Sequence, residues 1–339
     1  MSATQKPDKT VVVGATGLVG SEIVRTIERL HLPVDSLFLL ASERSAGKMV
    51  EFQGNELTVQ EFSSDFFRDA KRVFFSGKDG LSEEFCQVAA DEGAWVIDNS
   101  SVFRMREDIP LVVPEINIDA VGETPGIIAN PNCSTIQLAV ALAPIRDNYG
   151  LRRVIVSTYQ SASGAGGDYL DALMQDTALF LEKGWEAVGR DSLAFNCLPA
   201  VGSLEEGGRF SEETKLEIEL KKILGMPDLK VSATAVRVPV AISHSESAVV
   251  ETDKPIDPDD VRSLLDSMPG IGVLDNPDGR NFPTARQAEL TDPVWVGRIR
   301  KAGIFENDLA MWVVADNLRK GAALNAVQIA VSLHEREKS

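Results

Sequence analysis

Seven residues near the amino end, Gly14-Ala15-Thr16-Gly17-Leu18-Val19-Gly20, limit what this chain can build. They follow the β-branched run Thr10–Val13 and lead straight into Ser21–Leu30, where Ile23, Ile27 and Leu30 recur at helical spacing. Strand, glycine turn and helix are the opening of a βαβ unit. Gly14, Gly17 and Gly20 stand where a backbone must turn sharply, approach a pyrophosphate and let the helix lie close on the strand. Their spacing is a variant of the usual GxGxxG, and an ordinary strand-to-helix turn uses the same residue types, so the ligand reading needs further support.

Apolar runs continue at Leu37–Ala41, Val73–Phe75, Trp95–Ile97 and Ile127–Ala129, separated by helical patterns such as Phe85–Asp91. That alternation predicts an α/β, Rossmann-type parallel sheet wound on both faces. The second half changes character. Its strands are longer and alternate, at Arg153–Gln160, Lys230–Val240, Ser247–Glu251, Val294–Arg300 and Leu309–Ala315, which predicts a mixed, largely antiparallel sheet. Glu213–Leu224 is an amphipathic helix stopped by Gly225 and Pro227, Ala322–Leu333 is again helical, and Asn276–Pro283 is a polar loop.

The 339 residues exceed what one core usually serves, about 250–300, so two domains are expected. No stretch approaches the roughly 20 apolar residues of a membrane helix, and MSATQKPDKT lacks a secretory core; the expectation is a cytoplasmic protein without a membrane partner. A formal charge of −17 argues against nucleic acid. It also gives weight to the few clustered basic residues if the ligands are anions.

Cys86, Cys133 and Cys197 are odd in number and lack paired spacing, against a disulfide framework or a zinc site, so no metal is expected. Cys86 and Cys197 read as small core residues. Cys133, in Asn130-Pro131-Asn132-Cys133-Ser134-Thr135, directly precedes the helical run Ile136–Ala143. Its thiol should meet the positive end of a helix, which favours a nucleophilic thiolate; position alone leaves a structural cysteine equally open. Of three histidines, His31 precedes a loop and His334 sits in a charged tail, whereas His244 follows Arg237 by seven residues and is the best general base. Arg104, Lys215 and Arg237 are candidate anion binders, although Glu212 and Lys215 at i, i+3 by themselves better suit a surface ion pair. After the second strand comes Ser42-Glu43-Arg44-Ser45. Arg44 between hydroxyls suits a 2′-phosphate and favours NADP, while Glu43 could instead take an NAD ribose hydroxyl.

These pieces resemble the aspartate-semialdehyde dehydrogenase family from about Lys9 to Leu333. The resemblance rests on VVVGATGLVG, LASERSAGK, IDNSSVFRM, VVPEIN, IANPNCSTIQ, YQSASGAG, EETK, ATAVRVPVAISHSES and VADNLRKGAALNAVQIA in that order. It implies Cys133 as nucleophile, Gln160 as the residue orienting substrate, and His244 as acid/base. Arg237 and Glu212 would hold the semialdehyde's carboxylate and amino group; Arg104, Asn132 and Lys215 would hold phosphate. Gly14, Thr16, Gly17, Leu18, Val19, Ser42, Arg44 and Ser45 would line an NADP site, with Asn325 near the nicotinamide. The pair Glu212–Lys215 is thereby read as functional.

The resemblance also implies a dinucleotide-binding domain of residues 1–132 and 317–339 and a catalytic and dimerisation domain of residues 133–316, forming a homodimer. The implied reaction is the reversible, NADPH-dependent reduction of aspartyl phosphate to aspartate semialdehyde and phosphate, in lysine, threonine, methionine and diaminopimelate biosynthesis. Two departures are visible: Ser243 stands where a glycine is common before the histidine, and Ala235 where a cysteine is common. N-acetyl-glutamyl-phosphate reductase, an acyl-CoA reductase and a non-catalytic paralogue are the rivals; the last should have lost a reacting group, and Cys133, Gln160, Arg237 and His244 are all present.

Overall fold

The computed structural model describes residues 8–338; most of MSATQKPDKT lies outside them. The chain forms two compact units, one holding the residues up to Pro131 together with those from Ala322 on, the other Asn132–Gly321.

The first unit begins β1 (Lys9–Val13), α1 (Leu18–Arg29), β2 (Ser36–Ala41), then a hairpin of β3 (Met49–Phe52) and β4 (Asn55–Thr58), and β5 (Gln60–Glu61). It continues through β6 (Arg72–Phe75), α2 (Asp79–Asp91), β7 (Trp95–Asp98), the short α3 (Pro114–Asn117) and β8 (Ile127–Ala129). Its main sheet has the order β5-β2-β1-β6-β7-β8 with every pair parallel. Strands covered on both faces must be apolar throughout, and Val11–Val13 and Val73–Phe75 are accordingly almost wholly buried. The order reverses at β1, between β2 and β6, which opens a crevice at the carboxyl ends where the glycine turn lies.

The second unit runs α4 (Cys133–Tyr149), β9 (Arg153–Gln160), α5 (Gly167–Lys183), α6 (Ser211–Leu224), β10 (Lys230–Arg237), β11 (His244–Glu251) and α7 (Pro258–Asp266), then β12 (Ile271–Val273), α8 (Ala285–Ala288), β13 (Val294–Arg300) and β14 (Asp308–Ala315). Its sheet, β10-β9-β11-β14-β13-β12, is antiparallel in its centre with a parallel pair at each edge. α4 lies on β11, β13 and β14 and against α6. On β11 the residues on that side, His244, Glu246, Ala248 and Val250, are fully buried, whereas Ser247, Val249 and Glu251 on the other are partly exposed. α9 (Leu324–Arg336), entered through a π-helical turn at Arg319–Ala323, completes the first unit's core with Ala326, Val327, Ile329, Ala330 and Leu333.

Several sequence expectations change in the folded chain. β10 ends at Arg237, because after the bond from Val238 N to the Gln160 carbonyl Pro239 has no N–H to continue the ladder and the chain turns there. β11 starts three residues earlier than expected, at His244. The second unit starts one residue earlier and ends five later than expected, since Asn132 caps α4, and Asp316 and Asn317 bond to Leu290, Ser161 and Ser243. Cys197 is exposed rather than a core residue, because Phe195 takes φ 55° and the Asn196 side chain folds back onto the carbonyls of Arg190 and Ser192. His334 is buried in α9, not in a solvated tail, and burial lowers its pKa. Cys86 is buried as expected, and burial first, with the Asp98 carboxylate second, drives its thiol pKa upward.

Candidate active site

The site of the second unit grows from the start of α4. Asn132 is its N-cap, with the side-chain oxygen accepting from the amides of Ser134 at 3.0 Å and Thr135 at 3.3 Å. Two orphan donors are thus satisfied, which for such a cap contributes about 1 kcal/mol. The same residue donates twice to α6, from Nδ2 to Glu212 Oε1 at 2.7 Å and from its backbone to Glu219 Oε2 at 2.7 Å. Asn132 therefore fixes where the next residue, Cys133, leaves the backbone.

Cys133 Sγ lies 3.1 Å from His244 Nε2, at the amino end of β11. The imidazole is fully buried. Burial first, and the Arg237 guanidinium second, lower its pKa to about 3, against a weaker opposing hydrogen bond with the Ser243 backbone. Gln160, at the carboxyl end of β9, donates from Nε2 to Ser134 Oγ at 2.6 Å and to Glu212 Oε1 at 3.1 Å. Its buried Oε1 has no partner among the described contacts. Arg237, at the end of β10 and paired in register with Gln160, donates to the Ser161 carbonyl at 2.8 Å. Lys215 Nζ lies 3.8 Å from Glu212 Oε2 and is partly exposed. Gly164 is tightly enclosed here, because a Cβ on it would stand 2.9 Å from Arg237 and from the His244 ring.

Cys133, Asn132, Gln160, Glu212, Lys215, Arg237 and His244 are thus gathered in one unit by three neighbouring strands and two helices. The helix periodicity of α6 hid a further member, Glu219, at i+7 from Glu212 and fully buried among Leu216, Leu220 and Ile223. A carboxylate inside an apolar stripe was its only sequence signal. Ser161, Ser163, Gly164 and Asn317 also line this site, and nothing in their local sequence pattern marks them as its members.

The remaining candidates lie in the first unit. Gly14 takes φ 79°, and a Cβ on Gly20 would meet the Gly14 carbonyl oxygen at 2.1 Å, so the turn closes only without side chains. Helix α1 starts at Gly17 with no side-chain cap and no acidic residue in its first turn. Thr16, Leu18 and Val19 are partly exposed around it. After β2, Ser42, Glu43 and Arg44 face solvent while Ser45 is turned inward. Arg104 is buried and donates to the Asn99 carbonyl at 2.8 Å. Asn325 is fully buried and donates to the Val112 carbonyl at 2.8 Å and Asn130 Oδ1 at 2.7 Å, tying α9 to two loops. No helix among the described residues is long and apolar enough to cross a membrane.

Comparison with known proteins agrees with this division. Residues 9–124 match the semialdehyde dehydrogenase NAD binding domain and residues 142–320 the semialdehyde dehydrogenase dimerisation domain. The aspartate-semialdehyde dehydrogenase of Aquifex aeolicus is 47% identical over 95% of this chain and 96% of its own length. A crystal structure of aspartate semialdehyde dehydrogenase II from Vibrio cholerae complexed with ASA is 43% identical, covers 98% of this chain and 99% of its own, and has a TM-score of 0.92. The Candida albicans enzyme, crystallised with NADP, is 26% identical with a TM-score of 0.75, covering 97% of this chain and 98% of its own. With two domain matches, a relative at this identity over nearly its whole length and a site of this composition, the chain is an oxidoreductase belonging to the aspartate-semialdehyde dehydrogenase family.

Proposed function

We propose that this protein reduces L-4-aspartyl phosphate to L-aspartate 4-semialdehyde and phosphate, reversibly, with NADPH and through a thioester on Cys133. The observation that carries the reading is the 3.1 Å approach of Cys133 Sγ to His244 Nε2 at the start of α4. Cys133 attacks the acyl carbon and phosphate departs, leaving the thioester; a thiolate suits both this step and its own later expulsion. When bound, the dinucleotide supplies the hydride at that carbon. His244 Nε2 stands where charge develops on oxygen. The unpartnered Oε1 of Gln160 orients substrate, Arg237 grips its carboxylate as a fork, and Glu212 takes its amino group. Asn132 and Lys215 of the second unit would receive phosphate.

The first unit's residues fit a dinucleotide. The turn at Gly14 and Gly20 keeps side chains away, and the uncapped start of α1 leaves amides for a pyrophosphate. Exposed Arg44 supports NADP through a 2′-phosphate, and the NADP in the Candida albicans structure agrees. Homodimerisation through the second unit is supported by the matched dimerisation domain. The placement in lysine, threonine, methionine and diaminopimelate biosynthesis follows from the product. The test is reduction of NADP by the purified protein with aspartate semialdehyde and inorganic phosphate. Turnover should require phosphate; activity with coenzyme A in its place, or none with either, would overturn the reading.

A further inference from the structure

The start of α4 supplies only half of its own cap. In a capping box the N-cap side chain accepts from the backbone N–H of the third helical residue, and a Glu or Gln at that third position reaches back to the N-cap's own N–H. Asn132 does the first part, accepting at Oδ1 from Ser134 and Thr135. The third position holds Thr135, whose buried hydroxyl has no partner among the described contacts. The acceptor for Asn132 N comes instead from another helix, as Glu219 Oε2 at 2.7 Å, 87 residues further along the chain. Packing alone does not explain a glutamate there. Glu219 is fully buried, and its neighbours on that side of α6, Leu216, Leu220 and Ile223, are apolar. A leucine would continue the stripe and bury no polar group. Two turns earlier on α6, Glu212 Oε1 accepts from Asn132 Nδ2 at 2.7 Å. One helix thus grips both the main chain and the side chain of the residue directly before Cys133.

We propose that Glu219 is a positioning residue: it completes the cap of α4 from α6 and thereby holds Cys133 at its 3.1 Å approach to His244. The inference rests on Cys133 being the nucleophile proposed above. Cys133 is the first residue of α4, so the direction of its side chain follows the backbone that Asn132 fixes. Helix α6 also carries Glu212, proposed to take the substrate's amino group, so one helix sets both the attacking atom and the group that presents its target. Misplacing a reacting atom by about 1 Å costs on the order of a hundredfold in rate. Substrate affinity depends far less on that distance, because the contacts that bind the substrate lie on other side chains.

Two variants separate the acceptor from the packing. Glu219→Leu continues the apolar stripe but removes the acceptor of Asn132 N, whereas Glu219→Gln keeps an oxygen there. The leucine variant should lower kcat about a hundredfold with KM for the semialdehyde within about threefold, and the glutamine variant should stay within about fivefold of wild type in kcat. Hydrogen exchange of the Ser134 and Thr135 amides, read by NMR without substrate, should be about fivefold faster in the leucine variant and close to wild type in the glutamine one. An unchanged kcat or unchanged exchange in Glu219→Leu, or equal losses in the two variants, would overturn the proposal. If Glu219→Leu does not fold, Glu219→Asp takes its place, with a carboxylate one methylene short of Asn132 N; a kcat as high as that of Glu219→Gln would then sink the idea. Inactivity of the wild type with phosphate and NADP would defeat the proposed function, while exchange of the two amides still decides whether Glu219 completes the cap.

Discussion

Two helices of this protein begin at sites proposed for chemistry, and they begin differently. α1 starts at Gly17 with no side-chain cap and nothing acidic in its first turn, whereas α4 starts at Asn132, whose side chain accepts from two of its amides. Both ends carry the same partial positive charge from aligned peptides. An uncapped end keeps its donors for a ligand from outside; a capped one spends donors on its own chain and holds a fixed side chain at the end of the dipole. The first suits an anion that comes and goes, and the second a nucleophile that must stay within 3.1 Å of its histidine.

The contrast breaks most sharply at Cys133. Cys133→Ser should lower turnover on the order of a thousandfold or more, because a hydroxyl does not ionise to a nucleophile here, while NADP affinity stays within about twofold. Turnover above about one percent of wild type, measured with semialdehyde and phosphate, would break the assignment of chemistry to the capped helix.

Gly20→Ala is the matching change at the uncapped helix. Its Cβ would stand 2.1 Å from the Gly14 carbonyl oxygen, a backbone atom, so the turn must distort. Forced displacements of this kind cost about 1–3 kcal/mol, which predicts NADP binding weakened about five- to 150-fold by fluorescence titration. The rate of Cys133 alkylation should not move; a parallel fall would show that the two helix starts are not independent.

Arg44→Ala should weaken NADP about ten- to 150-fold and leave NAD nearly unchanged, because one charge-assisted contact to the 2′-phosphate is lost. Equal loss for both cofactors, measured at one ionic strength, would remove Arg44 as the discriminator.

Glu246→Gln should change turnover least and speak mainly through stability. Glu246 is fully buried on β11 two residues past His244, and burial raises its pKa well above the ordinary 4.5, against a smaller opposing influence of the amide of Gln137. A raised folded-state pKa means that stability is fully present below the unfolded value and falls as pH rises toward the folded one. Glutamine does not ionise, so the variant should gain on wild type with rising pH above about 4.5, no more steeply than about 1.4 kcal/mol per pH unit. Urea unfolding with a pH-independent difference would show that Glu246 is ionised in the fold.

The amino-acid sequence by itself determined the elements and their class. Val11–Val13 before a glycine turn and Arg153–Gln160 with alternating burial carry their periods locally, and a cysteine beside Asn132 at a helix start is readable because an N-cap is a short-range device. Tertiary structure alone decided which distant groups face one another. Ser161, Ser243 and Asn317 are separated by 74 to 156 residues, and only the antiparallel pairing of β11 with β9 and β14 brings them around one imidazole. Buried Glu219 illustrates the same limit, since a charge on an apolar helix face looks like a flaw until Asn132 arrives from 87 residues away to donate to it. Local pattern is short-ranged and written along the chain, while the partners of a buried polar group are set by where the sheet register places them.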